Sequence, residues 1–409
     1  MALGVPSIVG LVGVVGVCGF LPELADIDLS SGPPALLVAG ETDEVVPAFL
    51  SVDAAATLRG AGREADALTL PGGHEVSEAA AHRVRGWLDN RFTPRQRISM
   101  AIPTERVETG TELVSGDAIV EIARRWECLG FDAGHVTDHP APDDRWLGGG
   151  GHHALEPTVA LAAAGVGTTR LMLHTHTYVL GYRNPFLAAK ALASLDVVTG
   201  GRLILGVAAG YLRDEFDAVG AGFDDRGKRL DAALRLLGEI WQGDSVTAEG
   251  PDFDARSITS LPRPRQRPQP PIWVGGNSRR AMRRAAELGE GWSPFPTAGG
   301  LERVTRTASI ADMGELAARI DEFRGVWAES GRGGRPTVCF SPFALSAYLQ
   351  DPVGALEVLA EQAAEMYEIG VDWLALSVPG HTRAEVSERA EALADVLGLQ
   401  PRMPQQLSS

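Results

Sequence analysis

The residues best suited to chemistry in this chain lie between positions 135 and 176. His139 follows Asp138 directly, His135 stands four positions earlier, and His174 and His176 stand two apart. Imidazole titrates near neutrality, so His139 can give or take a proton during a reaction. Asp138 beside it can orient the ring or bond a ligand edge. Downstream, Gly275-Gly276-Asn277 precedes Ser278 at a helix start, where backbone N–H groups can face a phosphate.

The segment Leu171–Phe216 shows what must position these groups. Leu171–His176 is a short apolar run ending in polar Thr175 and His176. Asn184 and Pro185 form a helix start, with Asn capping free N–H groups and Pro lacking the one that would go unpaired. Phe186, Ala189, Lys190, Leu192, Ala193 and Val197 recur at helical spacing. Gly200-Gly201 stops the helix, and Leu203–Val207 is a second buried strand. A strand, a helical crossover and a parallel strand need about this length.

The same alternation runs from Ile98 to the end of the chain. Strands are expected at Ile98–Ile102, Ala133–Thr137, Leu171–His176, Leu203–Val207, Pro271–Gly275, Gly291–Ser293, Val338–Phe343 and Trp373–Val378. Helices are expected at Ser115–Leu129, Asp231–Trp241, Ser278–Leu288, Met313–Glu329, Val353–Glu368 and Ala384–Leu397. Eight strands alternating with helices predict an α/β fold, a (β/α)8 TIM-type barrel with insertions, whose site lies at the C-terminal strand ends. Those ends carry Asp138-His139, Thr175-His176, Ala209-Gly210 and Gly275-Gly276-Asn277. Small residues with few charges suit a flat cofactor with an anionic tail. A catalytic metal needs at least three converging ligands. His174 and His176 share a strand face, but no His-x-His lies on the first barrel strand and no cysteine pair exists, so no metal is expected. The Gly-rich stretch between His139 and Pro157 reads as a lid, with Arg145 and Trp146 able to close on substrate and His152 and His153 exposed. Asp196 and Arg202, at the opposite end of the barrel, read as structural.

At 409 residues the chain suits two domains. A net charge of −16 excludes a nucleic-acid partner, which needs a basic face. Cys18, Cys128 and Cys339 are far apart and odd in number, against a disulfide framework and for the cytoplasm. Ser7–Phe20 is apolar but too short for a membrane span and lacks a basic flank, so a buried strand is expected there.

The runs YRNPFLAAKALASLDVVTGGRLILGV, AGYLRDEF, FDDRGKR and PPIWVGGNS resemble the luciferase-like monooxygenase superfamily over about Arg97–Gly398, and VTDH resembles its branch using the deazaflavin coenzyme F420. The resemblance implies a TIM barrel, a homodimer and an oxidoreductase moving hydride between F420 and a small organic substrate; FMN with oxygen is the alternative. It places a bulged cis peptide at Thr175-His176 behind the ring and Asp138 and His139 at the reactive edge, with His139 handling the proton. Ala209 and Gly210 fall in the loop after strand four, and Gly275, Gly276 and Asn277 near the phosphate. Three departures stand out. The family often has Gly-x-Gly after strand four, where this chain has Gly206-Val207-Ala208. Ala209 replaces the catalytic carboxylate of the superfamily's sugar-phosphate dehydrogenases, against such a substrate. His174 replaces a common glycine before the bulge.

The first ninety-odd residues differ in kind. PPALLVAGETDEVVP and ADALTLPGGHEVS resemble the C-terminal part of an α/β-hydrolase of the carboxylesterase type, with Asp43 and His74 at its acid and base positions. No Gly-x-Ser-x-Gly elbow is present. Residues 1–94 are therefore expected to be a truncated, three-stranded α/β-hydrolase-like fragment, serving as a docking or oligomer contact. The barrel is expected over 95–400, with a disordered tail at 401–409 and no membrane partner.

Overall fold

The computed structural model describes residues 14–17, 35–61, 63, 65–70, 72–75, 84, 95–297 and 307–401. Cys18 and nearly all of the expected tail lie outside them. The chain divides into two compact units, Met1–Arg95 and Gln96–Ser409.

In the first unit, β1 (Val14–Val17), β2 (Ala35–Gly40) and β3 (Ala65–Leu70) form a parallel sheet in that order, with α1 (Ala48–Gly60) as the crossover between β2 and β3. β2 is buried along its whole length, as expected of a central parallel strand covered on both faces. Ala54, Ala55 and Leu58 of α1 close over Ala35 and Leu37.

In the second unit, eight parallel strands close into a barrel. They are β4 (Arg97–Ala101), β5 (Ala133–Val136), β6 (Met172–Val179), β7 (Leu203–Ala208), β10 (Ile272–Gly275), β11 (Gly291–Ser293), β12 (Thr337–Phe340) and β13 (Trp373–Leu376), with β13 pairing back to β4. Between β7 and β10 sits an unforeseen antiparallel hairpin, β8 (Val246–Gly250) and β9 (Phe253–Ile258).

The helices around the barrel begin and stop where local chemistry dictates. α2 (Gly116–Leu129) is capped by the Ser115 hydroxyl and ends at Gly130, whose φ is +95° and where a Cβ would lie 2.5 Å from the Gln400 carbonyl oxygen. α3 (Asp144–Gly148) and α4 (Pro157–Val166) follow β5; the second was not foreseen, because its Ala-rich sequence has no polar stripe. In α5 (Pro185–Val198) the Asn184 side chain accepts from the N–H groups of Phe186 and Leu187, as its sequence predicts. α6 (Arg213–Ala218) and α7 (Arg226–Gln242) follow β7. α8 (Arg279–Leu288) and α9 (Met313–Glu329) are capped by Ser278 and Asp312. α10 (Leu345–Gln350), α11 (Leu356–Ile369) and α12 (Arg383–Val396) complete the ring. No described helix is long and apolar enough to cross a membrane.

The strand starts are held by two polar side chains, half-buried Arg202 and buried Asp196. Arg202 donates to the carbonyls of Gly165, Thr168, Leu171 and Thr199 and to the Thr168 hydroxyl. Asp196, fully buried, accepts from Leu203 N and from Gln266 N and Nε2. Both play the structural part expected. Arg202→Ala would take a donor from each of these carbonyls, and one left buried and unmet costs about 1–3 kcal/mol. Urea unfolding of the variant should show a loss on the order of 3 kcal/mol or more; an unchanged midpoint would remove Arg202 from the framework.

Candidate functional site

At the C-terminal mouth, β6 departs from regular pairing. Thr175 still pairs with Leu205, then the register jumps so that Tyr178 pairs with Val207 and Val179 with Ala208. The non-prolyl cis peptide is His176–Thr177, one bond later than the sequence placed it. Pairing to β7 and the Thr175 hydroxyl's bond to the Gly206 carbonyl, 2.8 Å, hold Thr175 in the ladder, so the bulge begins only after it. Thr175 is fully buried in the wall, and its side chain is unavailable to a ligand. β6 accordingly runs to Val179 rather than stopping at His176.

His176 joins His174 and His135 in the barrel interior. Their ring centroids lie 5.1 Å (His174–His176), 5.0 Å (His135–His176) and 6.0 Å (His135–His174) apart. The Ser99 hydroxyl sits 3.1 Å from Nδ1 of both His135 and His174. Burial pushes all three imidazoles down, His176 to about 4, and the neighbouring histidines add to this for His135 and His174. They are therefore neutral at physiological pH. Among the described residues no group of three His, Cys, Asp or Glu side chains is arranged to hold a metal ion.

Above this layer two buried carboxylates organise the loops. Asp138, 4% exposed, accepts from Arg183 through both oxygens at 2.6 and 3.0 Å and from Val179 N at 2.8 Å. Burial works against the Arg183 charge, but the bond to Asp138 outweighs it and raises the guanidinium pKa further. The side chain also lies 3.9 Å over the Tyr178 ring. Asp138 thus ties the loop after β5 to that after β6 and makes no bond to His139.

The carboxylate that orients His139 is Glu215, in α6 and 0% exposed. It lies 3.3–3.4 Å from His139 Nδ1 and accepts from Ala141 N at 3.3 Å and the Tyr182 hydroxyl at 2.5 Å. A carboxylate acceptor fixes the proton on Nδ1 and leaves the lone pair on Nε2. The Tyr211 hydroxyl stands 3.4 Å from Nε2. Burial, with Glu215 nearby, pushes Tyr211 up to about 12, so it stays protonated and can donate there. Glu215, Tyr182, Tyr211 and Arg183 were not singled out from the sequence, although AGYLRDEF contains two of them.

The stretch after His139 folds over it. Trp146, in α3, lies 4.4 Å from the His139 ring and His152 5.0 Å away. His152 is therefore half-buried rather than exposed, and burial lowers its pKa; His153 is exposed. A Cβ at Gly151 would lie 2.3 Å from the Trp146 indole, so glycine is required for this backbone to lie on the ring.

The remaining residues divide between rim and scaffold. Ala209, half-buried, and Gly210 follow β7. Gly210 has φ +81°, and a Cβ there would press on Phe216 and Val179 at 2.8 Å. Gly275 ends β10 close to Thr177 of the bulge, where a Cβ would be 3.3 Å from Thr177 Cγ2. Gly276 follows with φ +105° and open space on its Cβ side apart from Ala281. Asn277 is fully buried, and its side chain bonds Phe295 N and the carbonyls of Phe295 and Ala308. It pins a loop instead of facing a ligand. The mouth also holds Thr104 Oγ1, Thr137 Oγ1 and His176 Nδ1 buried without a protein partner. Such atoms cost about 1–3 kcal/mol each unless met. With the glycine rim of β7 and β10, they fit a flat ring with polar edges and a phosphate tail.

In the first unit, Asp43 and His74 do meet. His74 Nδ1 lies 2.9 Å from Asp43 Oδ2, with Asp43 buried and His74 46% exposed at its side chain. Asp43 Oδ1 also accepts from Val45 N and Val46 N, so it holds its own turn.

A family model described as luciferase-like monooxygenase matches residues 96–396. An F420-dependent glucose-6-phosphate dehydrogenase of Microbacterium testaceum is 33% identical over 172 residues, 41% of this chain and 48% of that protein. An FMNH2-dependent dimethylsulfone monooxygenase of Pseudomonas putida is 32% identical over 149 residues, 36% and 41%. The chain thus spans about half the length of these curated relatives. An F420-dependent secondary alcohol dehydrogenase in complex with an F420–acetone adduct shares the fold, with TM-score 0.56 and 17% identity over 75% of this chain and 99% of that one.

The neutral imidazoles carry a consequence for stability. Unfolded histidine binds a proton near pH 6.5, whereas these three bind it at lower pH when folded. Their contribution is complete above about pH 6.5 and is lost as pH falls below it, by up to roughly 1.4 kcal/mol per pH unit for each. Melting temperature should drop steeply from pH 7 to 5, and His174→Gln should flatten the slope by about a third of this histidine share. A flat wild-type profile would mean that the imidazoles take up protons as readily in the folded protein as in the unfolded chain.

Proposed function

The chain belongs to the luciferase-like monooxygenase family, and from that premise we propose that it is an oxidoreductase moving hydride between coenzyme F420 and a small organic substrate. The observation that carries this reading is the His139–Glu215–Tyr211 arrangement at the barrel mouth. Hydride transfer to or from an oxygen-bearing carbon requires a proton to move as well, and His139 Nε2 is the group held ready for it. Bound at the mouth, the deazaflavin supplies or accepts two electrons as hydride. Glu215 keeps Nδ1–H pinned and stabilises the imidazolium that forms when Nε2 takes a proton. Tyr211 steadies Nε2, and Trp146 with His152 shields it from water. His176 and the Gly275-Gly276 turn are the residues left to contact the ring and phosphate.

The F420-dependent relative from Microbacterium supports the deazaflavin; the Pseudomonas relative supports the second reading, FMN with oxygen. The substrate we propose is uncharged and unphosphorylated. Ala209 offers no carboxylate, and the guanidinium groups of three mouth loops are already engaged. Arg106 bonds the carbonyls of Val378 and Gly380, Arg183 bonds Asp138, and Arg226 bonds the carbonyls of Gly210 and Phe223.

F420 should bind the purified protein more tightly than FMN, and its reduced form should reoxidise only with an organic acceptor. FMN binding equal or tighter, with oxygen consumption, would select the second reading. His139→Ala should lower turnover by roughly 10²–10⁴-fold, the usual share of general acid–base catalysis, with little change in cofactor affinity. Glu215→Gln should act in the same direction. Unchanged turnover in His139→Ala would reduce the pair to a structural turn.

For the first unit we propose a hydrolase remnant used for docking. Asp43 and His74 have the geometry of an acid–base pair, yet no Gly-x-Ser-x-Gly supplies a nucleophile. The protein should hydrolyse simple esters no faster than His74→Ala and should not be labelled by serine-reactive phosphonates. Labelling abolished by a serine substitution would overturn this.

A further inference from the structure

Helix α8 opens with Arg279-Arg280-Ala281-Met282-Arg283-Arg284. Ala281, Met282, Ala285 and Ala286 are buried against the barrel, while Arg279, Arg280 and Arg283 are exposed. These arginines, with Arg284, Arg235, Asp231 and Glu287, line one groove between α7 and α8. Five guanidinium groups face two carboxylates there, on a chain whose net charge is −16. Asp231 is taken by Arg280 and Arg284, and Glu287 lies 3.5 Å from Arg235. Arg279 has only Glu322 at 3.8 Å, and Arg283 has no acidic partner among the described residues. Two carboxylates do not balance five guanidinium groups, and a further anion seated among them would relieve the remaining repulsion.

The groove begins at the barrel mouth. α8 starts three residues after Gly276. Arg284 Nη2 bonds the carbonyl of Gly227, in the first turn of α7, and the adjoining Arg226 bonds the carbonyl of Gly210. An anion leaving the Gly210–Gly276 rim therefore meets Arg279 and Arg280 first. Arg283 follows about one helical turn, roughly 5–6 Å, further along.

We propose that this groove binds a chain of carboxylates extending outward from the phosphate of the cofactor, the oligoglutamate tail of a deazaflavin, with Arg279 and Arg283 as its main contacts. The inference rests on the deazaflavin reading above. Arg284, buried and bonded to Asp231 and Gly227, positions the groove and does not contact the tail. FMN ends at its phosphate and has nothing to place there, so the groove also discriminates between the two cofactors.

The test is equilibrium binding to the full chain, read by deazaflavin fluorescence. The ligands are the tail-less deazaflavin riboside and F420 with two and with six glutamates, each in 50 and 300 mM NaCl. Affinity should rise with tail length at low salt, by about tenfold from two to six glutamates, as expected for a few exposed ion pairs. The gain should vanish at high salt and in Arg279→Glu/Arg283→Glu, which changes exposed positions and should melt like the parent. Riboside affinity should be the same in parent and variant. If both F420 forms bind equally at both salt concentrations, the groove proposal falls and the deazaflavin reading stands. If no deazaflavin binds, the reading fails and takes the groove proposal with it.

Discussion

The mouth of the barrel depends on two carboxylates buried among loops that would otherwise be held only by their ends. A buried charge is tolerated only where donors surround it, and Asp138 and Glu215 obtain several of theirs from the end of β6 and the segment that follows it. Val179 N and Arg183 serve Asp138, and Tyr182 serves Glu215. Three consecutive loops, after β5, β6 and β7, are thereby locked to one another. The bulge of β6 is what brings Val179, Tyr182 and Arg183 to this level, because it adds residues to the strand without lengthening the ladder. His139 is held at Nδ1 by this arrangement, and its lid-side neighbours Trp146 and His152 pack onto a ring already fixed.

The barrel was legible because its evidence is periodic. Short apolar runs bounded by glycine, proline and capping residues recur eight times, and the structure closes them in that order. The Asn184-Pro185 start and the Gly130 stop could be placed to the residue, because each solves a local problem of unpaired backbone groups or of φ. The site was less legible. Asp138 and His139 are adjacent in sequence and invite pairing, yet Asp138 turns to Arg183 and His139 to Glu215 seventy-odd residues away. Nothing local distinguishes Glu215 from Asp214 before it; only burial of one face of α6 selects it. Thr175 lies inside β6 and Asn277 just beyond β10, and hydrogen bonds to the neighbouring backbone turn their side chains into the scaffold. A one-residue displacement of the bulge is invisible to pattern reading, because the ladder on β7 decides where pairing breaks.

Four histidines lie on β5 and β6 or just beyond β5, and their surroundings separate them. His135, His174 and His176 sit among one another, Ser99 and apolar side chains, with no carboxylate to compensate a positive charge. Burial makes their protonation costly, so they are poor proton donors near neutral pH. His139 is only a few residues away in sequence, but it has Glu215 against one nitrogen and a phenol against the other. A proton arriving on Nε2 there is balanced within one hydrogen bond, and its departure leaves a neutral ring still anchored by Nδ1–H. The difference between a core histidine and a proton-handling one is thus the presence of one buried carboxylate, supplied from a different strand's loop. That is also why the interior can be rich in imidazole without competing for the reaction: the same low dielectric that keeps three rings neutral strengthens the His139–Glu215 hydrogen bond above them.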